Sequence, residues 1–88
     1  MPRIVFTAHI KDIVPSGPIA VDGARVGDAL ERVFALHPRA RSYIVDDQGR
    51  LRKHVAVFVD GALVRTDPLA RAVNPETEIY VLQALSGG

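Results

Sequence analysis

Residues 55–61 read Val-Ala-Val-Phe-Val-Asp-Gly, and this stretch decides the fold. Its three valines share one face of a strand by period two, and the alanine and phenylalanine share the other. Asp60-Gly61 is the favoured two-residue connection of a β-hairpin. The stretch therefore predicts a strand over 55–59 that turns back into a second strand over 62–64.

Apolar runs of similar character also lie near both ends of the chain. Residues 4–10 (IVFTAHI) alternate and predict a first strand, which returns over 19–21 after a loop rich in proline and glycine. Residues 79–84 predict the last strand. A short extended piece over 42–45 leads into a turn at 46–49.

Between these strands the apolar period changes to that of a helix, which we predict over 26–36. Asp28 near its start suits the helix dipole, and Pro38 stops it. Arg25 is a poor N-cap. One apolar stripe is predicted to face the core: Val26, Ala29, Leu30, Val33, Phe34 and Leu36.

This order of elements predicts an α+β domain with one main helix across one face of a mixed, four- to five-stranded sheet. The last strand is largely apolar, and a central place beside the first strand would hide it. That arrangement is the β-grasp, or ubiquitin-like, fold. We expect a single domain over 1–84 and a flexible tail over 85–88.

Composition excludes several kinds of function. The chain has 88 residues, a formal charge of +1 and no cysteine, which removes disulfides, thiolate metal sites and cysteine nucleophiles. The balanced charge gives no steering toward nucleic acid or acidic membranes. No signal segment or membrane span is evident. We expect a soluble, cytoplasmic protein with no nucleic-acid or membrane partner.

Residues for catalysis or metal binding are not evident either. His9, His37 and His54 are too scattered to form a site, and we interpret them as structural or solvent-facing. Residues 46–49 resemble part of a calcium loop but lack its closing glutamate, so a plain turn is the better interpretation. No enzyme motif occurs. We predict no catalytic residue and no metal site.

One basic cluster precedes the central strand. On a strand, Arg50, Arg52 and His54 would share a face and form a small positive patch. Our preferred interpretation is a solvated strand edge that its charge protects from aggregation. The alternative is a docking site for an acidic partner.

The sequence ends in Gly87-Gly88, directly after the last predicted strand. Glycine loses the most entropy on ordering and adds no packing, so this ending has no rationale in folding. Two residues without side chains can instead pass through a narrow channel and present a terminal carboxylate to another protein. Adenylation of that carboxylate by ATP, followed by attack of a sulfur nucleophile, would give a thiocarboxylate.

Together these features resemble the MoaD/ThiS/CysO family of ubiquitin-like sulfur carriers over nearly the whole chain. The resemblance is carried by 51–61, by 78–82, by the helix start at 26–30 and by Gly87-Gly88. The additional segment 39–53 is similar to the CysO branch and favours a cysteine-type pathway. Molybdopterin, thiamine and tRNA thiolation stay open.

The resemblance implies that Gly88 is the site of adenylation and thiocarboxylate formation, with Leu85, Ser86 and Gly87 as the tail that delivers it. It implies two partners: an adenylyltransferase related to ubiquitin-activating enzymes, and a sulfur-accepting enzyme such as a cysteine synthase. The chain itself would bind no cofactor, because the activating partner uses the ATP.

A docking surface follows from the strands alone. If the valines of 55–59 face the helix, then Phe58, Tyr80 and Leu82 point to the other face, which a two-layer domain leaves uncovered. We predict that these three residues bind a partner; a homodimer contact or ordinary surface apolar residues are the alternatives. Two other functions stay open: a modifier joined to lysines of target proteins, and a β-grasp interaction module with an incidental glycine tail.

Overall fold

A computed structural model describes residues 1–7 and 13–83, and the elements follow the predicted order closely. Two short 3-10 turns, Pro38–Ala40 and Pro68–Ala70, lie between the main elements. The strands and helices are β1 (Arg3–Phe6), β2 (Ile19–Ala20), α1 (Val26–Leu36), α2 (Arg41–Ile44), β3 (Val55–Val59), β4 (Ala62–Leu63) and β5 (Glu78–Gln83).

The sheet has five strands in the order β2-β1-β5-β3-β4. Its middle strand, β5, runs parallel to β1 and antiparallel to β3. The last strand, which is apolar from Ile79 to Leu82, is thus hydrogen-bonded on both sides, as predicted. This order confirms the predicted β-grasp arrangement. The predicted ends of the first and last strands, residues 8–10 and Ala84, lie outside the described residues.

The hairpin of β3 and β4 has the predicted two-residue turn. Asp60 and Gly61 both have positive φ, at 49° and 85°. Two positive φ angles define the type I′ turn, whose twist matches that of the flanking strands. The turn places Val59 opposite Ala62 and so fixes the register of the hairpin.

The predicted helix is confirmed with its bounds, and it covers one face of the sheet. Val26, Ala29, Leu30, Val33 and Phe34 are buried. Leu36, the last residue of α1, lies about 80° around the helix from Val26, at the margin of the stripe. It is 65% exposed, so its place in the buried stripe was wrong.

The predicted extended piece over 42–45 is wrong for most of its length. Residues 41–44 form α2, and only Val45 has an extended backbone, in an isolated bridge to Leu51. The reason lies in burial: Ala40 and Ile44, four residues apart, are both fully buried. A strand would put Ser42 on the same face as these two residues, but Ser42 is exposed; a helical turn places Ala40 and Ile44 on one side and Ser42 on the other.

The strand predicted to align the basic patch is also wrong, because residues 50–54 form an isolated bridge and a turn. Arg52 N–H donates to the carbonyl of Ile44, and the chain then turns into β3. The guanidinium of Arg52 donates to the carbonyl of Ser42 at 2.6 Å, while that of Arg50 donates to the side chain of Gln48. Each arginine is therefore bound by a local acceptor, and no strand aligns the two with His54.

The core lies between α1 and one face of the sheet, and the described part of the molecule is compact, with a Cα radius of gyration of 11.7 Å. Its largest fully buried side chains include Ile4, Leu30, Ile44 and Ile79. Over residues 1–7 and 13–83, no helix is both long and apolar enough to span a bilayer.

Candidate docking face beside the C-terminal strand

The candidate site is built by the alternation of side chains along the central strands. In β5, Ile79 and Val81 are buried toward α1, whereas Tyr80 points the other way and is 39% exposed. Paired residues of neighbouring strands share a face, so the registers define one continuous surface opposite the helix. We call this surface the outer face; its apolar members are Val5, Ala56, Phe58, Leu63, Tyr80 and Leu82.

Four of these residues form a row across the sheet. Val5 is the register partner of Tyr80, Tyr80 is the partner of Phe58, and Phe58 is the partner of Leu63. Directly opposed side chains of this kind contact one another across the strands. Leu82 and Ala56 form a second pair closer to the C-terminal end of β5.

The three residues predicted to bind a partner therefore lie together on the outer face. Tyr80 is exposed, Phe58 and Leu82 are half-buried, and none of the three belongs to the core beneath α1. Their role in binding stays a prediction. The strand pattern alone did not reveal Val5 and Leu63 as neighbours, although the Asp-Gly turn contained the signal for Leu63 because it fixes the hairpin register.

Polar contacts hold the other end of this face in place. Asp60 links the hairpin turn to β5: its N–H donates to the Glu78 carbonyl at 2.8 Å, and its carboxylate accepts the Glu78 N–H at 2.9 Å. The Glu78 carboxylate in turn pairs with Arg3 at 2.9 Å, with both side chains half exposed. The outer face is thus charged where β5 begins and apolar where β5 ends.

The sequence beyond β5 is Ala-Leu-Ser-Gly-Gly, residues 84–88. The predicted reactive Gly88 and the tail residues Leu85, Ser86 and Gly87 lie outside the described residues. The structure describes the strand that precedes them. Gln83 is the last residue of β5 and pairs with Val55, one position beyond the pair of Leu82 and Ala56. The apolar end of the outer face therefore adjoins the start of the tail.

The turn at 46–49 uses its carboxylate within the chain. Asp46 Oδ1 accepts the N–H groups of Gln48 at 2.9 Å and Arg50 at 3.0 Å, as expected for a plain turn. The hydrogen bond from Arg50 N–H lowers the pKa of Asp46, with Gln48 N–H and the charges of Arg50 and Arg52 adding to it against a smaller desolvation effect.

Histidines and acidic groups form no metal site in the part of the chain that the structure describes. His37 follows α1 and donates its backbone N–H to Val33. His54 lies in the turn before β3, and His9 lies outside the described residues.

Comparison with known proteins agrees with this geometry. Small archaeal modifier protein 1 of Haloferax volcanii is 30% identical over 84 residues, which are 92% of this chain and 93% of that protein. A crystal structure of that modifier from Haloferax volcanii matches with a TM-score of 0.80 and 29% identity, over 99% of this chain and 98% of the other.

CysO in the crystal structure of the BexX/CysO complex of Amycolatopsis orientalis has the same fold. The TM-score is 0.87 at 19% identity, with both chains covered completely. At this identity the likeness concerns the fold alone. No family model matches the sequence.

The strand order, the covering helix and the free outer face define a β-grasp protein of the ubiquitin-like class. Within that class, the identity to small archaeal modifier protein 1 over nearly the full length of both chains is decisive. The chain belongs to the family of small ubiquitin-like sulfur carriers and modifiers.

Proposed function

We propose that this protein is a sulfur carrier whose Gly88 carboxylate is adenylated by a partner enzyme and converted to a thiocarboxylate. The observation that carries the proposal is the outer face, an apolar and partly exposed surface whose end adjoins Gln83, the last described residue before the tail. A surface for docking and the start of the tail are then adjacent on one strand. The folded domain over 1–84 would bind the enzyme while residues 85–88 enter its active site.

The reaction needs no catalytic group from this chain. A Gly88 carboxylate oxygen attacks the α-phosphorus of ATP and displaces pyrophosphate, which gives an acyl-adenylate. Sulfide then attacks the acyl carbon and displaces AMP. The product is a C-terminal thiocarboxylate that can pass its sulfur to an acceptor enzyme. Because the partner binds the ATP, the carrier holds no cofactor, and the cycle takes place in the ATP-containing cytoplasm.

Partner recognition in this proposal uses Phe58, Tyr80 and Leu82, joined by Val5 and Leu63. Aromatic residues at the centre of an interface contribute most when neighbouring contacts exclude water from them. Tyr80 lies in the middle of the cross-strand row, with Val5 on one side and Phe58 on the other. We expect it to be the residue whose truncation weakens binding of the activating enzyme most.

The experiment is intact-mass measurement after incubation with a matched activating enzyme, ATP and sulfide. The expected result is a mass gain equal to the difference between one sulfur and one oxygen atom, absent from a variant that lacks Gly88. Omitting ATP is the matched control. An unchanged mass with an enzyme that adenylates its own known carrier would refute the proposal.

A protein modifier is the second candidate, favoured by the identity to a small archaeal modifier protein. The same acyl-adenylate would then be attacked by a lysine amine of a target, which forms an isopeptide bond. A Gly-Gly remnant on target lysines after digestion of cell extract would support this candidate. If deletion of Gly87-Gly88 left all partner binding and biological activity intact, an interaction module without terminal chemistry would replace both candidates.

We further propose which pathway receives the sulfur. The additional segment 39–53, which resembles the CysO branch, favours transfer to a cysteine synthase-like enzyme over molybdopterin, thiamine or tRNA acceptors. Release of free or protein-linked cysteine from the loaded carrier by such an enzyme is the expected result.

A further inference from the structure

A second surface lies at the edge of the sheet. It is an open groove of about 620 Å³ between the start of β3, the chain that leaves β4, and the 3-10 turn Pro68–Ala70. Four apolar side chains form its floor: Leu51, Val55, Val64 and Leu69. All four pack on the core and yet remain partly exposed. The core is therefore incompletely covered along this groove.

The groove follows a strand edge that is only partly paired. On this side of β3, β4 pairs with Phe58 and Val59 alone. Val64 N–H then donates to the Val57 carbonyl at 2.9 Å, after which the chain departs toward Pro68. Within the described ranges, no other strand pairs with β3 on this edge. An exposed edge of this kind can accept an additional strand from another chain.

Two arginines on the groove set the sign of its charge. Arg65 is exposed and has no ion-pair partner among residues 1–7 and 13–83. Arg50 also lines the groove. Its exposed guanidinium lies 3.7 Å from the Asp46 carboxylate and donates to the side chain of Gln48. Asp67 is the one acidic residue of the lining. A ligand with apolar side chains and neighbouring carboxylates would complement this surface.

We propose that this groove binds an extended, acidic peptide segment of a partner protein, which adds as a strand to the free edge of β3. An apolar side chain of the peptide would cover Val55 and Leu69, and its carboxylates would pair with Arg65 and Arg50. A second copy of this chain fits less well, since edge-to-edge pairing would bring the same arginines together. The lining of the groove includes Ala56 and Leu63, which also belong to the outer face, so a peptide in the groove and a partner on the outer face would adjoin there.

The probe is a capped hexapeptide, Asp-Ile-Val-Ile-Asp-Glu, added to the full-length, ¹⁵N-labelled protein. The expected result is saturable shifts of the amide signals of Val55, Val57 and Val64 at peptide concentrations below about 1 mM, a range typical of weak peptide binding. Hydrogen exchange at Val57 should slow, because its N–H would gain a strand partner. A peptide with lysines at the acidic positions should bind at least fivefold more weakly.

A charge-reversal pair tests the role of the arginine. Arg65→Glu should weaken binding by roughly 5- to 10-fold at low salt, as expected for loss of an exposed ion pair plus like-charge repulsion. Arg39→Glu, at an exposed position outside the groove, should leave the affinity unchanged. Both sites are exposed, so both variants should fold.

Three results would overturn the proposal. The first is an absence of shifts at 2 mM peptide, roughly twice the upper limit expected for weak binding. The second is shifts confined to Val5, Tyr80 and Leu82, which would assign the peptide to the outer face. The third is a change in the Val64 and Leu69 signals of the free protein when 84–88 are deleted, which would make the chain's own tail the occupant. None of these results depends on whether Gly88 forms a thiocarboxylate.

Discussion

The two faces of the central strand differ in what they contact, although they alternate along the same six residues. Ile79 and Val81 are buried to 0% and 1% exposure beneath α1, while Tyr80 between them is 39% exposed. Burial of apolar area is the main source of stability, so the inner side of β5 holds the fold together. The outer side is apolar without being covered. Strand alternation thus lets one side of the segment hold the fold while the other side is available for the proposed recognition.

The largest expected effect tests the inner side of this comparison. Ile79→Ala should lower the free energy of unfolding by about 2–5 kcal/mol, because it removes buried methylenes and leaves a cavity against α1. Urea denaturation with a common m-value measures the loss. A cost below about 1 kcal/mol would mean that the sheet and helix collapse around the cavity, contrary to a rigid inner layer.

Gly23→Ala tests how closely the loop before α1 packs against the helix. A Cβ at residue 23 would lie 2.7 Å from the backbone nitrogen of Ala29 and 3.0 Å from its Cα, both in α1. Because neither atom can rotate away, the loop or the helix must move, at a cost of about 1–3 kcal/mol by the usual effect of overpacking. Thermal unfolding should show a lower midpoint; an unchanged midpoint would show that this loop does not constrain the helix.

Gly61→Ala tests how the hairpin turn orders the outer face. Nothing lies within 4 Å of a Cβ at this residue, so the penalty comes only from its φ of +85°. That penalty is about 1 kcal/mol for a side chain in the left-handed region. The amide chemical shifts of Phe58 and Leu63 should stay close to those of the parent protein, because Asp60 still binds β5. A large change in these chemical shifts would mean that glycine at residue 61 is needed for the hairpin register.

Tyr80→Ser is the counterpart of the Ile79 variant on the outer side. Its unfolding free energy should change by no more than about 0.5 kcal/mol, as is usual for exposed positions. Its rate of adenylation by the activating enzyme should fall, while the rate of Arg39→Glu, exposed on the helical side, should not. A stability loss equal to that of Ile79→Ala would break the division between the two faces.

The smallest effect concerns acid stability. Hydrogen bonds from Arg50 and Gln48 lower the folded-state pKa of Asp46 below its unfolded value. Ionised Asp46 therefore stabilises the fold above the ordinary carboxyl pKa, and this contribution disappears as the pH falls through the lowered pKa. Asp46→Asn should flatten the decline of stability that begins at about pH 5 and continues as the pH falls through the lowered pKa of Asp46. An unchanged acid profile would contradict this role.

The sequence predicted the elements with strong local signals and missed those set by tertiary contacts. The helix over 26–36 was found with its bounds because six apolar residues fit one stripe, five of which are buried. The hairpin was found because Asp60-Gly61 allows one register. The extended piece predicted over 42–45 was wrong: two β-branched residues favour a strand, but burial of Ala40 and Ile44 with Ser42 exposed between them fits a helical turn.

The same limit applies to the candidate sites. Alternation along β3 and β5 was enough to predict Phe58, Tyr80 and Leu82 on one surface. Val5 could not be assigned to that surface, because the pairing of β1 with β5 joins residues far apart in sequence. The basic patch failed for a related reason: the turn at Asp46 sends Arg50 and Arg52 to separate local acceptors.

The position of β5 has a mechanical consequence. An enzyme that draws in the residues after Gln83 pulls along the axis of a strand that is hydrogen-bonded on both sides, in parallel to β1 and antiparallel to β3. These hydrogen bonds lie across the strand axis and share the load together. Peeling would instead break them one at a time. The sheet therefore resists traction from its C-terminal end in shear, and the tail can be held under tension without unravelling the domain that presents it.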